Sequence, residues 1–106
     1  MAKTLFVVRA EIPDAAQRPR FEEWYKADHL PWAVRAFGAR RGWRCWSATE
    51  PAAHYAFYEF DSREAAERGT APEVTKPLVA DFDRVWPGIA RRREMLELAQ
   101  ELAGQP

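Results

Sequence analysis

The chain has 106 residues, 47% of them apolar and 30% charged, with 16 basic and 16 acidic side chains and no net charge. That balance excludes the basic footprint of a nucleic-acid binder or of a protein held on an anionic membrane, and the apolar content excludes a disordered chain. The length matches one domain over residues 1–106 with room for a single core.

Cys45 is the only cysteine. An internal disulfide and the cysteine spacings of metal sites are therefore excluded. The two histidines, His29 and His54, do not pair with acids at a familiar ligand spacing, so no bound metal is expected. The opening apolar run, Leu5-Phe6-Val7-Val8, is too short for a signal-peptide core or a membrane span, which predicts a cytoplasmic protein.

Residues 3–11 read as a strand whose apolar residues fall on both faces, as in a central strand covered on both sides. Pro13 and Asp14 break it. Residues 18–29 read as a helix, with Phe21, Trp24, Tyr25 and His29 along one face. Pro31 disfavours helical geometry at Leu30, so the helix is expected to stop or kink near His29, with a short turn over 32–37 before Gly38.

Residues 39–49 read as a second strand. Trp43 and Cys45 share one of its faces, and Arg44 and Trp46 the other. Gly42 marks a bulge or a close backbone approach. Residues 54–60 form a third, aromatic-rich strand, and the short connection before it predicts an antiparallel hairpin. Asp61 or Ser62 caps a brief helix over 63–68, ended by Gly69. Pro72 and Pro77 bracket a loop. A second main helix is expected over about 76–86, where Leu78, Val79, Phe82, Val85 and Trp86 make an apolar stripe. Residues 90–98 are ambiguous. Met95, Leu98, Ala99 and Leu102 have helical spacing in good helix-forming company, and the strand reading is locally weaker.

The segment Phe21-Glu22-Glu23-Trp24-Tyr25-Lys26-Ala27-Asp28-His29-Leu30-Pro31, with Gly38 before the second strand, resembles the motif ending the first helix in the EthD-like branch of the dimeric α/β-barrel superfamily. Ala90-Arg91-Arg92-Arg93-Glu94-Met95-Leu96-Glu97 is similar to that branch's Arg-rich last strand. The resemblance turns the ambiguous segment into a strand. It implies an α+β, ferredoxin-like βαββαβ fold with a four-stranded antiparallel sheet, paired across a homodimer into a barrel. Trp32 departs from the pattern, being bulkier than the residue that usually follows His-Leu-Pro. Members include cofactor-independent monooxygenases, cyclases, haem-degrading enzymes and dehydratases, so fold alone does not name a reaction.

His29 is the leading catalytic candidate, read from the residues as an imidazolium favoured by a helix C-terminus and contacted by Tyr25 one turn earlier. The alternative is a cap on carbonyls left open before Pro31. The five tryptophans fill the core and a dimer contact or form flat pocket walls; on the second view Trp24, Trp32 and Trp43 bind ligand. His54 faces the pocket or lies on the surface, and Tyr58 shares its strand face. Cys45 reads as a small filler, because nothing near it in sequence supplies a base. Arg40-Arg41-Gly42-Trp43-Arg44 holds an anionic or planar ligand, or guards an edge strand. Two functions follow. One is an enzyme that oxygenates, cyclises or dehydrates a hydrophobic or aromatic compound without metal or cofactor. The other is a non-catalytic ligand-binding or accessory protein of a degradation pathway.

Overall fold

The computed structural model describes residues 2–105. Strand β1 (Thr4–Glu11) is central, as its two-sided apolar pattern requires. It pairs antiparallel with β3 (Ala53–Phe60) on one side and β4 (Ala90–Glu97) on the other. Strand β2 (Arg41–Trp46) pairs antiparallel with β3, closing the expected hairpin and giving the order β2-β3-β1-β4. The result is a four-stranded antiparallel, ferredoxin-like α+β fold.

β4 is a strand although its local pattern suits a helix. All eight of its residues are in register with β1, from Ala90 opposite Glu11 to Glu97 opposite Thr4. A central strand with one bare edge leaves a row of backbone donors and acceptors to be satisfied, and that demand outweighs helix propensity in an exposed segment.

The first helical segment does not stop at His29. It runs as α1 (Arg18–Trp24), a π-helical turn (Tyr25–His29) and α2 (Leu30–Phe37). Pro31 has no N–H to give. The helix widens by one residue to accommodate it, and the Leu30 N–H reaches back five residues to the Tyr25 carbonyl. Leu30 keeps helical angles (φ −65°, ψ −48°) despite the following proline. Burial on both sides of the junction favours continuity, with Phe21, Tyr25 and His29 before it and Ala33 and Phe37 after it. Gly38 ends the segment at φ +65°, a left-handed cap that a side chain would strain.

Ser62 caps α3 (Arg63–Gly69), its side chain accepting from the Ala65 N–H at 3.1 Å. The loop expected between Pro72 and Pro77 is instead the start of α4 (Pro72–Val85). Pro72 occupies the first helical position, where no N–H is needed. Pro77 removes one bond, to the carbonyl of Glu73, and Glu73 is exposed so that water can replace it. Gly42 marks a close approach: a Cβ there would lie 2.7 Å from Val34 Cγ2, so α2 sits tightly on β2 only because this residue has no side chain.

The helices cover one face of the sheet. Phe6, His54, Tyr58 and Phe60 project into the buried core on that side, with Phe21, Phe82 and Trp86 from the helices above. Alternate residues, among them Leu5, Val7, Trp43, Tyr55 and Phe57, project from the opposite face. No helix among the described residues is long and apolar enough to cross a membrane.

Candidate functional site

A cavity of about 280 Å³ lies between the covered sheet face and the helices. Phe6 and Val8 of β1 and Tyr58 of β3 form its floor, and Leu78 and Phe82 of α4 its roof. Tyr25 and His29 enter from the π-helical turn, and Arg91 and Arg93 reach it from β4.

The π-helical turn arranges the histidine. On an ordinary α-helix, residues five apart point about 140° away from each other. In a helix bonded from i to i+5 the wider turn makes that angle much smaller. Trp24 and His29 are five apart, and their rings stack with centroids 4.6 Å apart and planes 21° from parallel. Tyr25 meets the same imidazole edge-on at 4.8 Å. His29 thus has an indole on its face and a phenol at its edge, while its ring lines the cavity.

Burial pulls the His29 pKa down to about 4; the carboxylate of Asp81 opposes this and the Arg91 cation adds to it. His29 is therefore a neutral imidazole at pH 7. The sequence reading of an imidazolium at a helix end is corrected here, because the helix continues and supplies no C-terminal dipole. The capping reading is corrected too: Nδ1 of His29 is buried without a hydrogen-bond partner. Tyr25 is pushed up to about 12 by burial, with the facing Tyr58 hydroxyl and the Arg44 cation pulling the other way. Tyr58 is raised well above the usual phenol range, again by burial first and then by Tyr25. His29 and both phenols are thus uncharged at pH 7, and the charged side chains of the wall are Arg91 and Arg93.

His54 is fully buried behind Tyr25, with ring centroids 4.6 Å apart, and does not line the cavity. Its surface reading is corrected. Arg44 approaches its Nε2 at 3.2 Å. A guanidinium only donates, so Nε2 accepts and the proton of neutral His54 sits on Nδ1, which has no partner. Burial, and then Arg44, hold its pKa down to about 4. Arg44 also makes a two-pronged pair with Glu22, at 3.0 and 2.9 Å, and the Trp46 indole N–H donates to the same carboxylate at 2.9 Å. Those bonds hold the Glu22 pKa down to about 2.

Of the sequence candidates, the fold brings Tyr25, His29 and Tyr58 together around the cavity, with Trp24 stacked behind His29. Trp32 packs at the margin of the core, its ring 6.4 Å from that of His29 and outside the cavity wall. Trp43 lies on the opposite sheet face, stacked on Phe57 at 5.5 Å, and takes no part in the cavity. Cys45 is exposed on that face rather than buried as a filler. Sequence reasoning gives no site role to Glu22, Phe82, Arg91 or Arg93, and reads Arg44 only within a charged run that holds a ligand or guards an edge strand. The strand parity of Arg44 with Trp46 was the available signal for Arg44. Among the described residues, no group of three or more His, Cys, Asp or Glu side chains is placed to hold a metal ion.

No protein-family model matches the sequence, and no curated protein matches it. Solved structures do. A monooxygenase from the gene ActVA-Orf6 of Streptomyces coelicolor, in complex with the ligand nanaomycin D, superposes with a TM-score of 0.72 at 11% identity, over 98% of this chain and 94% of that one. SnoaB, a cofactor-independent oxygenase from Streptomyces nogalater, gives 0.70 at 16% identity over 98% of this chain and all of that one. An EthD family protein from Bacillus halodurans gives 0.67 at 17% identity over 96% of this chain and all of that one. The chain shares the ferredoxin-like fold of these structures. The EthD resemblance seen in the sequence points to the same fold. Identities this low carry the fold alone and leave the reaction to be argued from the cavity.

Proposed function

We propose that the protein is a small-molecule enzyme that acts on a hydrophobic or aromatic compound without a metal, by oxygenation, cyclisation or dehydration. The observation that carries this reading is the convergence of His29, Tyr25 and Tyr58 on one largely apolar cavity. Its volume of about 280 Å³ lies near the lower end of ligand sites, roughly 300–1,000 Å³, and suits a compact ring system. Neutral His29 serves as hydrogen-bond or proton acceptor, the two un-ionised phenols orient or donate, and Trp24 fixes the imidazole plane. That two proteins of the same fold are described as oxygenases supports the enzyme class.

The protein is proposed to work as a homodimer in which two sheets face each other. Trp43, Tyr55, Phe57, Val7 and Leu96 share the sheet face that the helices leave uncovered, a patch of the kind that monomers avoid. A second reading, a ligand-binding or accessory protein, draws on one specific observation: among the described residues no carboxylate is hydrogen-bonded to His29, whose Nδ1 has no partner. The two readings part in one experiment. Wild type and His29→Ala are incubated aerobically with a panel of hydroxylated naphthalenes and anthracenes, with oxygen uptake and product mass recorded alongside binding. An enzyme shows turnover that falls about 10²–10⁴-fold in the variant while the variant stays folded. Binding without turnover supports the accessory reading, and absence of both rejects a small-molecule site.

A further inference from the structure

Every polar group lining the cavity is neutral except two arginines. Arg91 pairs with Asp83 at 2.5 Å, and its guanidinium lies 3.9 Å from the centre of the Phe82 ring. That cation is already balanced and packed. Arg93, two residues along β4 on the same face, also lines the cavity. Among the described residues it has no carboxylate within ion-pair distance. Among the described residues no carboxylate belongs to the cavity wall. A cavity of apolar walls and un-ionised phenols thus carries, on the edge strand β4, one cation without a counter-charge among the described residues.

We infer that the cavity takes an aromatic compound bearing an ionised acidic group, a carboxylate or a phenolate, and that Arg93 receives this anion. The inference rests on the reading of the cavity as a small-molecule site and adds its charge preference. A guanidinium suits the task because its planar fork can present two parallel N–H donors to a carboxylate, or one to a phenolate oxygen. The rings then lie against Phe6, Leu78 and Phe82. Neutral His29 and the protonated phenols put no negative charge in the anion's way.

The test uses two probes of equal shape, naphthalene-2-carboxylate and naphthalene-2-carboxamide, titrated calorimetrically into the full chain at pH 7. The carboxylate is expected to bind roughly tenfold or more tightly than the carboxamide, as for a hydrogen-bonded charge contact, with the preference shrinking as salt is added. Arg93→Gln is expected to remove that preference and leave carboxamide affinity within about twofold, because the neutral probe does not need the cation. Arg93 is exposed, so its melting temperature should stay at the wild-type value. Equal binding of the two probes to wild type would overturn the charge preference and leave the small-molecule reading standing. A preference that survives in Arg93→Gln would overturn the assignment to Arg93. If neither probe binds, both the preference and the reading beneath it fail.

Discussion

The two faces of the sheet are woven from the same strands and are both rich in aromatic side chains, yet they behave as different materials. Toward the helices, Tyr58, Phe60 and His54 are nearly or wholly closed off from water, at 1%, 2% and 0% exposure. There Glu22 answers to Arg44 and Trp46, His54 Nε2 to Arg44 and Tyr25 to Tyr58, while Nδ1 of both histidines and the Trp86 indole N–H stay unpartnered among the described residues. On the other side, Trp43, Tyr55 and Phe57 stack loosely and stay partly exposed. Aromatic content therefore does not mark a site. What sets the covered face apart is desolvation, which shifts four titratable groups far from their ordinary values and encloses a cavity beside them.

The largest expected effect comes from acid. His29 and His54 are held near pKa 4 in the folded chain, against about 6.5 when unfolded. The unfolded state then binds more protons between those values. The stability tied to each neutral imidazole is present above about pH 6.5 and lost as pH falls toward 4, about 3 kcal/mol per histidine. Below that, protonation of Glu22 removes its pairing as pH passes from the ordinary carboxylate range toward 2. Thermal melting from pH 7 to pH 4 should show a steep fall, shallower in His54→Gln. A flat profile would mean that the covered face is wetter than described.

A smaller effect is expected from Arg44→Met. It keeps much of the stem's packing but leaves Glu22 without its cation and frees Nε2 of His54. The cost should be about 1.5–3 kcal/mol, the scale of lost hydrogen bonds to a charged group, read from urea denaturation. Arg41 on the same strand has an exposed guanidinium, paired with Glu59 at 3.0 Å, and Lys3 stays 3.9 Å from that carboxylate when Arg41 is removed, so Arg41→Met should cost about 1 kcal/mol.

The smallest effect on the chain's own stability is expected on the open face. Trp43→Ser removes a ring stacked in the partly exposed layer and should cost about 1 kcal/mol or less. Its consequence should appear in assembly instead. Sedimentation at micromolar concentration should find wild type paired and the variant shifted toward single chains. Labelling of Cys45, exposed on that face, should quicken accordingly. Wild type running as a single chain would remove the distinction between the faces as a functional one.

The helix face of Phe21, Trp24, Tyr25 and His29 and the hairpin of aromatic strands are legible in the sequence, because periodicity is a local property that burial on one side imposes on the chain. So is the parity that puts Trp43 and Arg44 on opposite faces of β2. Which face meets the helices is not local. Trp43 looks like a pocket wall until the sheet is assembled, and Arg44 looks like edge charge until Glu22 is found across from it. Pro31 is a clear local signal with two outcomes, a stop or a widened turn, and the choice depends on how much surface the continued helix buries. Residues 90–98 are ambiguous in the sequence, and 90–97 become a strand because β1 has an open edge to fill. The residue pattern alone therefore determined the aromatic faces and most of the element order. Tertiary structure decided the stacking of Trp24 on His29, the neutral state of both histidines and the arginines at the cavity, because desolvation and strand pairing depend on neighbours far apart in the chain.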